Sequence, residues 1–264
     1  MQTALARPLP TAADEAPPAA AAGHALWVRI THWMVSVSFL ALVVSGWVIL
    51  MCHPRLYWGE VGNDLTPALL ELPISRNHRH GRWAAPVPFF ERTGSPVSAS
   101  RTGEIFNQNS WGRSLHFLAA WFLVLPGAAY LVAGVATGHF RRHLAPRAEE
   151  WTLRQFAQEL KDHCRGAVRK AGGGPRYGLL QKSTYCGVVF LVLPLAVVTG
   201  LAMSPAITAA FPFLSGMFGG HQSARTLHFV ASVLLVLFLI VHVVMVVASG
   251  FRRQLRAMTL GDSP

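Results

Sequence analysis

The sequence predicts an all-α fold in which four helices form a bundle that spans a lipid bilayer. Of the 264 residues, 52% are hydrophobic and only 13% are charged, and the mean hydropathy is +0.36. A chain of this composition is too apolar for an ordinary soluble domain. A membrane-spanning helix needs about 20 apolar residues, and four runs reach that length, at about 26–50, 112–138, 178–203 and 224–250.

The four runs place the predicted membrane domain at residues 24–260. Residues 1–23 are rich in Ala and Pro, and they lack the basic start, short apolar core and cleavage site of a signal peptide. We therefore expect these residues to form a disordered N-terminal tail.

The positions of the basic residues predict the orientation of the bundle. The net charge is +11, but the basic residues lie between and beside the apolar runs instead of forming a face for nucleic acid, which we exclude as a partner. The connection 139–177 has nine basic residues and the tail after the last run adds Arg252, Arg253 and Arg256, whereas the connection 204–221 has none. By the positive-inside rule, both chain termini are expected in the cytoplasm of a bacterium, with the bundle in its inner membrane.

The cysteines exclude several kinds of metal centre. The three cysteines, Cys52, Cys164 and Cys186, form no C-x-x-C pair. No zinc site, iron–sulfur cluster or disulfide framework is therefore predicted. Covalently attached c-type haem is also disfavoured, because the chain has no C-x-x-C-H motif.

The candidate functional residues are four histidines within the apolar runs, His32, His116, His228 and His242. Polar side chains are costly inside a bilayer and usually mark a functional site. Neutral imidazole is a good ligand for iron. The alternative is that each histidine has only a structural role and is hydrogen-bonded to a neighbouring helix.

The depths of the four histidines match in two pairs. His228 and His242 are 14 residues apart on one run, which separates them by about 21 Å on nearly the same helix face. His32 is expected at the depth of His242 on the cytoplasmic side, and His116 at the depth of His228 on the outer side. We predict that each pair binds one non-covalent haem b through its iron. With both axial positions filled, such haems carry electrons and catalyse no reaction of a substrate, so no catalytic residue is predicted.

Three arginines lie one helical turn closer to the membrane surface than a predicted ligand. The same motif, R-x-x-H-aromatic, begins at Arg29, Arg113 and Arg225. A guanidinium binds a carboxylate in a bidentate manner, so these residues are predicted to bind haem propionates. The alternative is that they anchor helix ends at the lipid headgroups. Close approach of a flat porphyrin is predicted at three glycines, Gly46, Gly187 and Gly200. The alternative is that they are the small residues common at contacts between membrane helices.

Six motifs between residues 24 and 260 carry a resemblance to a known family. They are R-I-T-H-W at 29–33, H-P-R-L-Y-W-G-E at 53–60, G-R-S-L-H-F at 112–117, L-L-Q-K-S-T-Y at 179–185, G-L-A-M-S-P at 200–205 and G-G-H-Q-S-A-R-T-L-H-F at 219–229. With these motifs the chain resembles the bacterial cytochrome b561 superfamily, and within it the membrane subunits of nickel–iron hydrogenases, formate dehydrogenases and thiosulfate reductases. The resemblance implies two b haems on the four histidines named above.

The resemblance also implies partners. The family's members exchange electrons between quinone or quinol and a catalytic subunit outside the membrane, which in the thiosulfate reductase branch is a molybdopterin protein similar to sulfite oxidase. The long outer connection 51–110 is the expected docking region for such a periplasmic subunit. The quinone is expected at the cytoplasmic end, near Arg29, Trp33, Lys182 and Arg252. The competing hypothesis is a transporter or non-redox anchor, in which the histidines handle protons or only pack.

Overall fold

The computed structural model describes residues 24–62, 66–74, 109–140, 157–158, 161 and 179–261. In chain order the elements are α1 (Leu26–Cys52), β1 (Arg55–Leu56), β2 (Leu70–Glu71), α2 (Asn109–Ala136), α3 (Leu179–Gly187), a π-helical segment (Val188–Val192), α4 (Leu193–Ala202), α5 (Pro205–Ala210), α6 (Phe213–Met217), α7 (His221–Ala248) and α8 (Phe251–Thr259). The predicted tail 1–23 and most of the connection 139–177 lie outside the described residues.

Four helical stretches of the described chain are long and apolar enough to cross a membrane, which confirms the predicted number of spans. They are Leu26–Cys52, Trp111–Ala136, Leu179–Ala202 and His221–Ala248. In the most apolar 18-residue stretch of each span, only 11% to 22% of the residues are buried inside the protein. Most of their apolar side chains therefore face outward, as expected for helices that are surrounded by lipid.

The third span, Leu179–Ala202, is interrupted by the π-helical segment between α3 and α4. Pro194 lies in the first turn of α4, just after this segment. A proline ring clashes with the carbonyl group four residues earlier and donates no hydrogen bond, so the helix widens by one residue at this point. In contrast, Pro126 lies within the continuous helix α2.

The four spans associate as two helix pairs. Close backbone contacts join α1 to α2 and the third span to α7, whereas the two pairs approach each other closely at few points of the described chain. Between the pairs, halfway along the bundle, a small core of Ala196, Ala231 and Leu235 packs against Phe39. Leu235 lies two helical turns from His228 and from His242 along α7, so this apolar layer separates the two histidine depths.

One end of the bundle, where α1 ends and α7 begins, contains a segment that we call the strap, residues 53–62. Its strand β1 pairs with β2 in antiparallel register, with Arg55 opposite Glu71 and Leu56 opposite Leu70. Both residues of β1 are buried, although one of them is charged. The sequence did not predict this ladder, because two residues are too few for an alternating pattern. We call this end of the bundle the strap end.

The strap caps the N-terminus of α7. The carbonyl oxygen of Gly59 accepts hydrogen bonds from the backbone N–H groups of Gln222 (3.0 Å) and Ser223 (3.2 Å). The backbone N–H of Gly59 donates to Ser223 Oγ (2.7 Å), and Glu60 Oε2 accepts from the backbone N–H of His221 (3.1 Å). These bonds satisfy N–H groups that a helix start leaves unpaired, and the carboxylate stabilises the positive end of the helix dipole.

Two side chains of α7 also bind the strap. Thr226 Oγ1 donates to the carbonyl oxygen of Tyr57 (2.6 Å), and the Arg225 guanidinium donates to the carbonyl oxygen of His53. The backbones come so close that a Cβ on Gly220 would lie 2.5 Å from the strap backbone, and Gly220 has a φ of +118°. Glycine is therefore required at this position.

At the opposite end, which we call the tail end, α8 lies against the start of α1. Arg29 Nη1 donates to the carbonyl oxygen of Thr259 (2.7 Å), and Trp33 Nε1 donates to that of Met258 (3.1 Å). Ala257 of α8 is 1% exposed. The last turn of α8 is therefore fixed to the first two turns of α1 across more than 220 residues of chain.

Candidate functional site

The structure brings the four histidines of the spans together in two pairs, both of which join one helix pair to the other. At the strap end, the rings of His116 on α2 and His228 on α7 have centroids 6.2 Å apart and planes inclined by 65°. At the tail end, the rings of His32 on α1 and His242 on α7 have centroids 6.4 Å apart and planes inclined by 51°.

The separation of the rings fits a shared metal centre in each pair. Two imidazoles that bind one metal from opposite sides have ring centres roughly 6 Å apart, because each metal–nitrogen distance is about 2 Å. Direct hydrogen bonds between the two rings of a pair would bring the centres closer. Within the described ranges, no group of three or more His, Cys, Asp or Glu side chains could hold a metal ion. The remaining ligands would have to come from a cofactor, such as the four nitrogens of a porphyrin.

At the strap end, hydrogen bonds fix the ring of each histidine through Nδ1. His116 Nδ1 lies 3.0 Å from Ser45 Oγ, and His228 Nδ1 lies 2.9 Å from the carbonyl oxygen of Ala196 and 3.2 Å from Thr199 Oγ1. Such partners are typical of histidines that bind a metal through the other ring nitrogen.

These bonds determine which ring nitrogen carries the proton. A carbonyl oxygen only accepts, so His228 Nδ1 is the donor to Ala196. The hydroxyl of Ser45 donates to the carbonyl oxygen of Ala41 (2.6 Å), which leaves its oxygen to accept from His116 Nδ1. In the neutral form of each ring, Nε2 then keeps its lone pair and can bind iron.

Two of the three predicted glycines lie against this histidine pair. A Cβ on Gly46 would lie 3.5 Å from His116 Cε1, and a Cβ on Gly200 would lie 3.3 Å from His228 Cε1. A Cβ on Gly187, in contrast, would have no neighbour within 4 Å. The structure thus associates Gly46 and Gly200 with the strap-end pair and does not associate Gly187 with any histidine.

At the tail end, aromatic rings surround the histidine pair. The ring of His242 stacks on Phe238 (5.7 Å, 25°) and contacts Tyr185 (6.4 Å, 67°). The ring of His32 packs edge-on against Trp33 (5.3 Å, 88°). His32 Nδ1 is buried and has no hydrogen-bond partner among the residues that the structure describes.

The three arginines predicted to bind propionates have different surroundings. As described above, Arg29 and Arg225 each donate to a backbone carbonyl group, and Arg113 is exposed near the start of α2. A guanidinium has five N–H donors, so one bond to the backbone leaves others for a carboxylate. Arg29 Nε is buried and without a partner in the described part of the chain. Propionate binding by these residues stays a prediction.

Sequence reasoning missed the hydroxyl groups that fix the strap-end histidines. Ser45 and Thr199 are each 0% exposed. Each directly precedes the glycine that lies against the same histidine ring. The dipeptides Ser45–Gly46 and Thr199–Gly200 are therefore the sequence pattern by which these hydroxyl residues could have been identified. A small hydroxyl residue before a glycine, on a span opposite a histidine, is a pattern with a clear physical basis.

We expect Ser45→Ala to weaken the binding of a cofactor to the strap-end pair. Loss of a partner that orients a metal ligand costs about 10- to 100-fold in affinity. Haem retained per chain during purification should therefore fall at the strap end only. Ser38→Ala is the matched control, because this serine is also buried on α1 and donates only to the carbonyl oxygen of Met34. Equal haem retention in both variants would contradict the assigned role of Ser45.

Comparison with known proteins identifies the family. Residues 23–261 match the model of the family described as prokaryotic cytochrome b561. The chain is also 28% identical over 223 residues to a protein from Azospira oryzae that is provisionally named a protein-methionine-sulfoxide reductase subunit, YedZ1. The match covers 84% of this chain and 89% of that relative. No solved structure shows a significant match.

The family match confirms the resemblance found in the sequence motifs. It covers all four spans and both histidine pairs. Haem and electron transport across a membrane are the properties that define this family. The chain therefore belongs to the prokaryotic cytochrome b561 family and is a multi-pass membrane electron-transfer subunit.

Proposed function

We propose that the chain binds two b-type haems, and that it carries electrons between the quinone pool and a periplasmic redox subunit. The observation that carries the proposal is that α7 provides one histidine to each of two pairs, 14 residues apart. Each pair would hold haem iron through two imidazole nitrogens. Bound haem would supply one-electron redox chemistry at two depths of the membrane.

The chain's own residues contribute orientation and insulation to this transfer. The Nδ1 bonds at the strap end keep Nε2 of His116 and His228 available to iron. Phe39 and Leu235 belong to the apolar layer between the two pairs, and their side chains would keep water and protons out of this region. Because each pair would supply two imidazoles to its haem, the bound group would carry electrons and would not take up a substrate.

The proposed partner follows from the relative's name and from the sequence resemblance. The Azospira relative is named as a subunit of a reductase that acts on protein methionine sulfoxide. By analogy, we propose that this chain delivers electrons to a periplasmic catalytic subunit of the molybdopterin class, similar to thiosulfate reductase or sulfite oxidase. A reductase consumes electrons, so they would flow from quinol, through the tail-end pair and then the strap-end pair, to that subunit.

The quinol site is proposed at the tail end, on the cytoplasmic side. A quinol reaches the protein through lipid and must release protons at a membrane surface. The elements of the tail end carry several cations, namely Arg29 on α1, half-buried Lys182 on α3 and exposed Arg252 on α8. These side chains are candidates for contacts with the quinone oxygens or the haem propionates.

The test of the proposed function is the visible spectrum of the purified protein in its reduced and oxidised forms, followed by reduction with a quinol analogue. We expect sharp b-type bands and rapid reduction by quinol. Lys182→Ala and Arg29→Ala are expected to slow this reduction by about tenfold or more, the cost of one lost charged hydrogen bond. Chemical reduction by dithionite should remain complete in both variants.

Two outcomes would contradict the proposal in different ways. If the protein showed no b-type bands, the electron-carrier hypothesis would be rejected. The competing hypothesis of a transporter or a non-redox anchor would then remain. If Arg113→Ala or Arg225→Ala stopped reduction by quinol while the tail-end variants did not, the quinone would bind at the strap end instead.

A further inference from the structure

The two histidine pairs differ in how their rings are held. At the strap end, both Nδ1 atoms have hydrogen-bond partners. At the tail end, His242 is held by stacking on Phe238, and His32 Nδ1 has no partner within the described ranges. A metal-binding histidine needs a fixed ring orientation, which its second nitrogen usually provides. Among the described residues, a ring contact is therefore the interaction that can orient His32.

The nearest group that could do so is the indole ring of Trp33. Successive side chains on a helix point about 100° apart and do not normally face each other. The ring of Trp33 nevertheless contacts the ring of His32 edge-on, with centroids 5.3 Å apart and planes inclined by 88°. This contact requires the indole to be turned toward His32 and kept there.

The C-terminus of α8 supplies the group that keeps the indole in place. Trp33 Nε1 donates to the carbonyl oxygen of Met258, and Arg29, one turn earlier on α1, donates to that of Thr259. The last carbonyl groups of a helix lack partners within the helix and attract cations, so both bonds are favourable. Gly261 has a φ of +82°, and a Cβ there would lie 2.9 Å from the Arg29 guanidinium.

We propose that α8 acts as a brace for the tail-end haem ligand, in which its terminal carbonyl groups fix Trp33 and the indole ring of Trp33 fixes the imidazole of His32. Trp33 is thus a positioning residue. The inference rests on the proposed function, because it assumes that His32 binds haem iron. It gives α8, which lies outside the four spans, a role in the electron-transfer site.

The first test is Trp33→Phe, which keeps an aromatic ring beside His32 and removes the N–H donor. In the full-length protein in detergent or nanodiscs, the low-spin electron paramagnetic resonance line of the tail-end haem is expected to broaden, because the imidazole adopts several orientations. Transfer of this haem to apomyoglobin should become roughly tenfold faster. The line of the strap-end haem should be unchanged. The His242→Ala variant assigns the two lines.

A second readout does not depend on haem. In protein prepared without haem, amide hydrogen exchange in residues 251–260 is expected to increase in Trp33→Phe, because the bond from Trp33 to the end of α8 is lost. Trp121→Phe is the matched control, since this tryptophan is 57% exposed on α2. It should change neither the exchange rate nor the spectrum.

A second variant displaces α8 without altering α1. Ala257 is 1% exposed, so the side chain in Ala257→Trp cannot fit and must lift the helix. The tail-end line should broaden as in Trp33→Phe. If the line width and the rate of haem transfer were unchanged in either variant, the proposed role of α8 would be wrong. If the unaltered protein bound no haem at the tail end, the proposed function itself would fail, which distinguishes the two results.

Discussion

His242→Ala is expected to reduce the haem content from two haems to one per chain, with the strap-end haem retained. Removal of His242 leaves His32 without the ring that faces it from the other helix pair, and the structure places no other histidine ring of α7 against it. His116→Ala should have the converse effect, because His116 and His228 form the other pair. A pyridine haemochrome assay measures the number, and redox potentiometry shows which haem is lost.

Two controls make this result decisive. Acid–acetone should extract both haems from the unaltered protein, because the chain has no C-x-x-C-H motif for thioether bonds. His221→Ala changes a histidine on the same helix whose backbone, and not its ring, binds the strap. It should therefore keep both haems. One haem per chain in the unaltered protein, or two in His242→Ala, would show that the pairs do not bind haem separately.

Gly200→Val is expected to expel the strap-end haem while the helices remain folded. Even the Cβ atom would lie 3.3 Å from His228 Cε1 and 3.6 Å from Nδ1, and the two methyl groups of valine extend further. Overpacking of this kind costs about 1–3 kcal/mol, which corresponds to roughly a 5- to 150-fold loss of haem affinity. Haem titration of the apoprotein, followed by its absorption, measures the change.

Gly127→Val serves as the matched control, because a Cβ on Gly127 has no neighbour within 4 Å. Both substitutions add the same side chain to a glycine within a span. A normal haem affinity in Gly200→Val would show that the ring of His228 is free to move aside, and that Gly200 is not needed for close packing. An equal loss in Gly127→Val would point to a general effect on the helices.

The six sequence motifs include two that the structure shows to be one unit. H-P-R-L-Y-W-G-E contains most of the strap, and G-G-H-Q-S-A-R-T-L-H-F begins α7. They lie more than 150 residues apart, but Gly59, Glu60 and Tyr57 all bind the first turns of α7. His228 lies two turns from the start of α7, so the strap fixes the end of the helix that carries a predicted ligand.

The sequence failed to show how Arg29 and Arg225 bond. Spacing placed each one turn from a histidine, where a propionate is expected. In the structure each also donates to a backbone carbonyl group, at sequence separations of 230 and 172 residues. A backbone acceptor carries no signature in the sequence, since every residue has a carbonyl group. Only the packing of α8 and of the strap against the spans reveals these bonds.

The number of spans and the matching of the four histidines in two pairs could be predicted from the sequence alone. Both depend on local quantities, the apolar length needed to cross a bilayer and the fixed rise per residue of a helix. Three features became visible only in the folded bundle. The helices pair as α1 with α2 and the third span with α7. The hydroxyl groups of Ser45 and Thr199 fix the strap-end rings, and α8 contacts Trp33. The physical reason is that a hydrogen bond between two helices depends on their mutual rotation and spacing, which the packing of the whole bundle sets and no single segment encodes.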